Sequence, residues 1–323
     1  MKRIHSTRLL KSIAFTLFLA GLAAAQAPAG ANRPASVPAD FVITPFGYFH
    51  PSCVGHLAKG DVLRDDVGAI QRANGTSETI QECAYPHFDA DGTKVVGDVQ
   101  PTGDGKSEPP YIGHSWIEYA SIHTANNYGG VYAEWTVPTT PPSNDGQTLY
   151  FFNGLEQYTG DVTIIQPVLG WNSDFANAWG IASWNCCKKG TVQEATPVPV
   201  NPNDHIQGYI ASQCAKGITK CGSWAIVIVD LENGTHSELD TSNFGQTFNW
   251  AFGGVLEVYR VTRCGDYPTP AYPDYGIGFY NQGVVDDNFN PIAPAWTVTN
   301  LTGSLSPKCH YGESLPKQVI LHY

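Results

Sequence analysis

"SWAIVIVDLENGTHSEL", residues 223–239, reads as two β-strands joined by a turn. Trp224 to Val229 is a short apolar run of aromatic and β-branched residues, and Asn233-Gly234 supplies the positive φ angles that a two-residue hairpin turn demands. Outward from this hairpin the same texture continues in both directions. "SWIEYASI" (115–122), "GGVYAEWTVP" (129–138), "TLYFFNGLE" (148–156), "VTIIQPVLGW" (162–171), "WGIASWNC" (179–186) and "DHIQGYIASQ" (204–213) precede it; "GGVLEVYRVT" (253–262) and "AWTVTNL" (295–301) follow. Val, Ile, Tyr, Trp and Thr dominate these runs, turn residues separate them, and none carries sustained helical periodicity. Such a pattern predicts an all-β, antiparallel β-sandwich of the concanavalin or jelly-roll kind over residues 111–323.

The region before it differs. Residues 1–25 place Lys2, Arg3, Arg8 and Lys11 ahead of an apolar stretch ending in Ala23-Ala24-Ala25, the layout of a secretory signal peptide. The mature chain is then expected to start near Gln26, and no other stretch is long enough to span a bilayer. Residues 26–110 open with the Pro- and Ala-rich "APAGANRPASVPAD" (27–40), a flexible lead-in, and end in "ADGTKVVGDVQPTGDGKSEPPY" (90–111), which reads as a linker. A boundary is expected near residue 110.

Taking the four basic residues of the leader from the formal net charge of −11 leaves −15, which disfavours nucleic acid as a partner. Eight cysteines, all downstream of the leader, fit disulfides in an exported protein, extracellular or periplasmic. Cys214 with Cys221 and Cys53 with Cys83 are the expected bridges. The adjacent Cys186 and Cys187 are expected to bond to different partners, with Cys264 and Cys309 as the candidates. No CxxC pair, no HExxH and no ligand spacing among the ten histidines points to a metal, and no cofactor is expected.

Two side chains stand out. In "VTIIQPVLGW" the alternation puts Val162, Ile164, Gln166 and Val168 on one face, an amide among apolar neighbours. Gln166 is either a hydrogen-bonded core amide or a working group, because an unpaired buried amide costs about 1–3 kcal/mol. Pro167 cannot donate to a ladder, which predicts an edge strand or a bulge beside it. In "GGVLEVYRVT", Val255, Glu257, Tyr259 and Val261 share a face. Glu257 is either an outward residue of a half-solvated strand or an acid whose pKa burial raises. Glu118, Glu134 and Glu156 are read as solvent-facing strand residues, the last two on strands expected beside that of Gln166. Trp116, Trp135, Trp171, Trp179 and Trp184 are mostly core.

The order "YGGVYAEWTVPTTPP", "LYFFNGLE", "IIQPVLGW", "WGIASWN", "DHIQGYIAS", hairpin, "VLEVYRV" resembles the glutamic peptidases called eqolisins over roughly Ser115 to Leu301. It is distantly similar to the neprosin type, which has Glu where the eqolisins have Gln. The resemblance implies an acid endopeptidase acting on protein or peptide substrates. Glu257 would be general base then acid, and Gln166 would position the water and hold the oxyanion. Trp135, Glu156, Trp171, Trp184 and Tyr259 are the candidate substrate-binding residues. The sequence departs from the eqolisin pattern in following Gln166 with Pro-Val rather than Thr-Gly, and Glu257 with Val-Tyr rather than Trp. The resemblance also implies a zymogen, with residues 26–110 as a removable or inhibitory segment. A second reading is a secreted carbohydrate-active or carbohydrate-binding sandwich, pairing Glu257 with Glu134 or Glu156 as a glycosidase would.

Overall fold

Alternating side chains govern the structure from the first strand to the last. We describe residues 33–64, 67–95, 115–158, 163–186, 188–269, 276–300, 309–314 and 318–323 of a computed structural model of the chain. The expected leader, residues 96–111 of the expected linker and Cys187 lie outside the described residues, whereas residues 90–95 of the linker are described and include a strand. Among the described residues the elements are strands and short 3-10 turns, and no helix is long and apolar enough to cross a membrane.

Two large sheets make the β-sandwich. One is nine-stranded, and its central strands run Trp116–His123, Trp250–Tyr259, Thr148–Glu156, Ile164–Trp171, Trp179–Cys186 and Val192–Ala195. The other is eleven-stranded, centred on Gly276–Asp286, Tyr128–Thr136, His205–Ser212, Trp224–Asp230 and His236–Thr241. Odd-numbered residues of the Gln166 strand, Ile165, Leu169 and Trp171, point into the space between the sheets and bury themselves against Ile206, Ile210, Ile226 and Ile228.

The even-numbered residues face the other way, and a third layer covers them. Val42–Thr44, Gly47–Phe49, His87–Phe88 and Lys94–Val95 form a four-stranded sheet. Its Phe46, Tyr48, Phe49 and Phe88 share one apolar core with Tyr150, Val168, Trp184 and Tyr259 of the nine-stranded sheet. Tyr48 meets Tyr259 edge-on at 5.6 Å, and Phe46 meets Trp184 at 6.2 Å. Each buried ring of this kind contributes about 1.5–3 kcal/mol. The cover therefore rests on packing more than on charge.

The N-terminal segment also enters both large sheets, so residues 33–95 are not a loose preface. Val54–Leu57 pairs in parallel with Val192–Ala195, and Val62–Arg64 pairs with the His236–Thr241 strand. The described part of the expected lead-in is tied down by Arg33, whose guanidinium donates to the carbonyls of Pro38 and Phe41.

Several local expectations change. Leu231–Thr235 is a five-residue connection rather than a two-residue turn, because the Asp230 carboxylate accepts from Glu232 N–H and Asn233 Nδ2 and holds the loop open. Only Gly234 there takes a positive φ, of 76°. Cys53–Cys83 and Cys214–Cys221 are bridged as expected, but Cys264 bonds to Cys309. That bond removes both expected partners of the Cys186-Cys187 pair; Cys186 is itself disulfide-bonded. The strand Gly276–Asp286 was not legible in the sequence: Gly276, Gly278 and Gly283 interrupt its alternation, and Tyr132 packs so close over Gly283 that a Cβ there would meet its ring at 2.1 Å.

Candidate active site

Gln166 sits in the interior of the nine-stranded sheet, not at an edge. Its strand pairs without a break to Trp179–Cys186, with Gln166 opposite Trp184. On the other side the ladder with Thr148–Glu156 lapses at Asn153 and Gly154, opposite Pro167 and Gln166, and resumes at Leu155. Pro167 has no N–H to give, and the neighbouring Trp250–Tyr259 strand bulges against the same point, between Phe152 and Gly154. Gly154 completes the local opening, since a Cβ there would lie 3.8 Å from that of Gln166.

The Gln166 side chain is fully buried, and neither its Oε1 nor its Nε2 has a hydrogen-bond partner among the described residues. No protein group among the described residues satisfies the amide. An orphaned buried amide of this kind costs about 1–3 kcal/mol and calls for a use.

Glu257 lies on the same covered face, 1% exposed. Its Oε1 accepts a hydrogen bond from the Tyr259 hydroxyl at 2.7 Å. Burial pushes its pKa up to about 8, against the pull of Tyr259, Ser115 and Trp116. In acid the buried group therefore favours its neutral, proton-donating form.

The register does not set Gln166 and Glu257 side by side. Glu257 pairs with Tyr150, and Tyr150 pairs with Gly170, four residues along from Gln166. Two strand spacings and four residues of rise put their Cα atoms roughly 16 Å apart, too far for one water to touch both side chains. The strand Thr148–Glu156, lying between them, is the physical reason.

Other acids gather on this face. Glu194, 1% exposed, pairs with Trp184 in the same row as Gln166. Its Oε2 lies 3.1 Å from Nδ1 of His56, on the N-terminal strand beside it. Burial raises Glu194 to about 7, with a hydrogen bond from Asp174 opposing, and burial and the Glu194 charge raise Asp174. The Tyr150 hydroxyl, 3.3 Å from Ser173 Oγ, joins this group to the Glu257 end. The sequence carried Glu194 in a run with no visible alternation, and Asp174 in a turn, which is why neither stood out.

The remaining expected residues divide by face. Trp184 and Tyr259 lie with Gln166 and Glu257, whereas Trp135 and Trp171 are buried between the two large sheets and cannot reach this face. Glu156 is fully buried on the Gln166 face, and Glu118 is also fully buried, so neither faces solvent. Glu134 is half-buried on the eleven-stranded sheet, where it accepts from Gln207 and Asn281. A surface cleft lined by Thr136–Thr139, Gly276–Gly278 and Tyr280 contains none of these groups.

No family model and no curated protein matches the chain. Among solved structures it is similar to scytalido-glutamic peptidase with a peptide-based transition state analog, at 15% identity and a TM-score of 0.45, over 65% of this chain and 98% of that one. It is likewise similar to SCP-B, a member of the eqolisin family of peptidases in a complex with the tripeptide Ala-Ile-His, at 16% identity and a TM-score of 0.44, with the same coverage.

Proposed function

We propose that the chain is a peptidase that hydrolyses peptide bonds in acid, using the amide of Gln166 and the carboxyls of the covered face. The observation that carries this reading is the orphaned amide on a face whose acids hold their protons to about pH 8 at Glu257 and about 7 at Glu194. Peptide hydrolysis needs a proton donor for the leaving amine and a donor for the developing oxyanion. A neutral carboxyl and an amide N–H are such donors. The strand order of the sequence, with its resemblance to the glutamic peptidases, agrees.

Peptide as the substrate class has a second support. The Val54–Leu57 segment of this chain already lies as an added strand on Val192–Ala195, beside Glu194. Extended peptides bind sheet edges in this way. In this reading residues 33–95 are an inhibitory cover, and activity requires their displacement or removal.

The test is digestion of a denatured protein by the purified full-length chain at acidic pH, with the chain's own mass followed during incubation. Cleavage that grows as the N-terminal segment is lost supports both parts. A stable full-length chain that cleaves at once counts against the cover, and no cleavage after the segment is gone counts against the peptidase.

A further inference from the structure

Resting on that reading, we propose that the acid working directly with Gln166 is Glu156, and that Glu257 acts elsewhere on the face. The register carries this. Glu156 pairs with Ile164 on the Gln166 strand, so Gln166, two positions on, is its diagonal neighbour on the adjacent strand. Residues so related have Cα atoms about 7–8 Å apart on one face, within reach of two long side chains. Both are fully buried.

The surroundings agree with a reacting centre. The unpartnered amide of Gln166 is on the Glu156 side of the sheet, next to the opening over Gly154. Trp250, directly opposite Glu156, and Phe252, opposite Gly154, wall the space with apolar surface. A site of this kind keeps bulk water out and strengthens every polar interaction within it. Glu257 lacks that relation to the amide, with Tyr150 and its strand interposed.

The chemistry balances with these two groups. Acting in its carboxylate form, Glu156 takes one proton from a water whose oxygen forms a bond to the peptide carbonyl carbon. The carbonyl π pair moves to its oxygen, which accepts from Gln166 Nε2–H. The oxyanion then re-forms the carbonyl as the C–N bond breaks, and the proton on Glu156 passes to the leaving amine. Water is consumed, and carboxyl and amide return unchanged.

The experiment compares wild type and Glu156→Gln as full-length chains after acid incubation, on a denatured protein substrate. The proposal expects kcat to fall at least 1,000-fold in E156Q. Activity of E156Q within 10-fold of wild type overturns the proposal while leaving the peptidase reading intact. An inactive wild type overturns both. Should E156Q fail to fold, E156D decides: a 10-fold or larger loss in kcat at unchanged KM, with the acid limb of the pH profile displaced, supports the assignment. An unchanged kcat and profile in E156D overturns it.

Discussion

The two faces of the nine-stranded sheet are equally buried and differently finished. On the face toward the eleven-stranded sheet a run of polar side chains is partnered, although Asn153 Oδ1 and the indole N–H groups of Trp171 and Trp179 are not, among the described residues. Thr163 Oγ1 donates to Asn185 Oδ1 at 2.5 Å, Asn185 Nδ2 donates to Thr241 Oγ1 at 2.7 Å, and Ser183 Oγ donates to the carbonyl of Ser237 at 2.9 Å. On the face under the N-terminal cover, Gln166 has no partner for either amide atom among the described residues, and it lies with the buried carboxyls of Glu194 and Glu257. The partnered hydroxyls and amide of the first face read as architecture. The second face sets an amide with both atoms unpaired among buried carboxyls, the costlier arrangement, and function is expected there.

The contrast breaks most readily with pH. Glu257 holds its proton to about 8 in the folded chain and loses it near 4.5 when unfolded. A raised folded pKa means that the folded state binds the extra proton between those values. The stability it contributes is full below about pH 4.5 and lost as pH rises through about 8, on the order of 4 kcal/mol. Urea unfolding at pH 4 and pH 8.5 checks it: wild type is expected to lose that much more than Glu257→Gln, and equal losses would place no such acid on this face.

Asn185→Ala tests the partnered face. It strands the hydroxyl of Thr163 and removes the donor to Thr241 Oγ1, which keeps its own bond to the Ser242 carbonyl, and is expected to lower stability by about 1–3 kcal/mol. Gln166→Met tests the other. Replacing an unpaired amide by an apolar side chain of similar shape is expected to raise stability by about 1–3 kcal/mol. Opposite signs in denaturant titrations of these two variants sharpen the comparison; a Q166M variant as damaged as N185A would erase it. The smallest effect is expected from Tyr259→Phe, which removes the hydrogen bond that lowers the Glu257 pKa. Its carboxyl should titrate above about 8, at a cost of about 1 kcal/mol, as read by carbon NMR of the labelled glutamate.

What could be read from residues alone follows this division. Alternation correctly grouped Gln166 with Ile164 and Val168, and Glu257 with Val255 and Tyr259, because the period of a strand is local. It could not say that Thr148–Glu156 lies between them, since register depends on which strands meet. The same limit brought Trp135 and Trp171 forward as candidates, although each faces the inter-sheet core. It also concealed the closeness of Glu156 to Gln166. Phe46, Tyr48 and Phe49 sit in strands of three residues or in the turns between them, too short for a period to appear. The cover was therefore legible only as a segment ahead of the sandwich, not as a layer on the candidate site.

The central claim is that the unpaired amide of the covered face exists for hydrolysis. It is tested most directly by assaying wild type and Gln166→Met, after acid incubation, for cleavage of a denatured protein, with the unfolding of each measured alongside. The account predicts a wild type that cleaves and a Q166M variant that is more stable yet inactive. Equal cleavage by the two chains, or none by wild type once its N-terminal segment is gone, would contradict it.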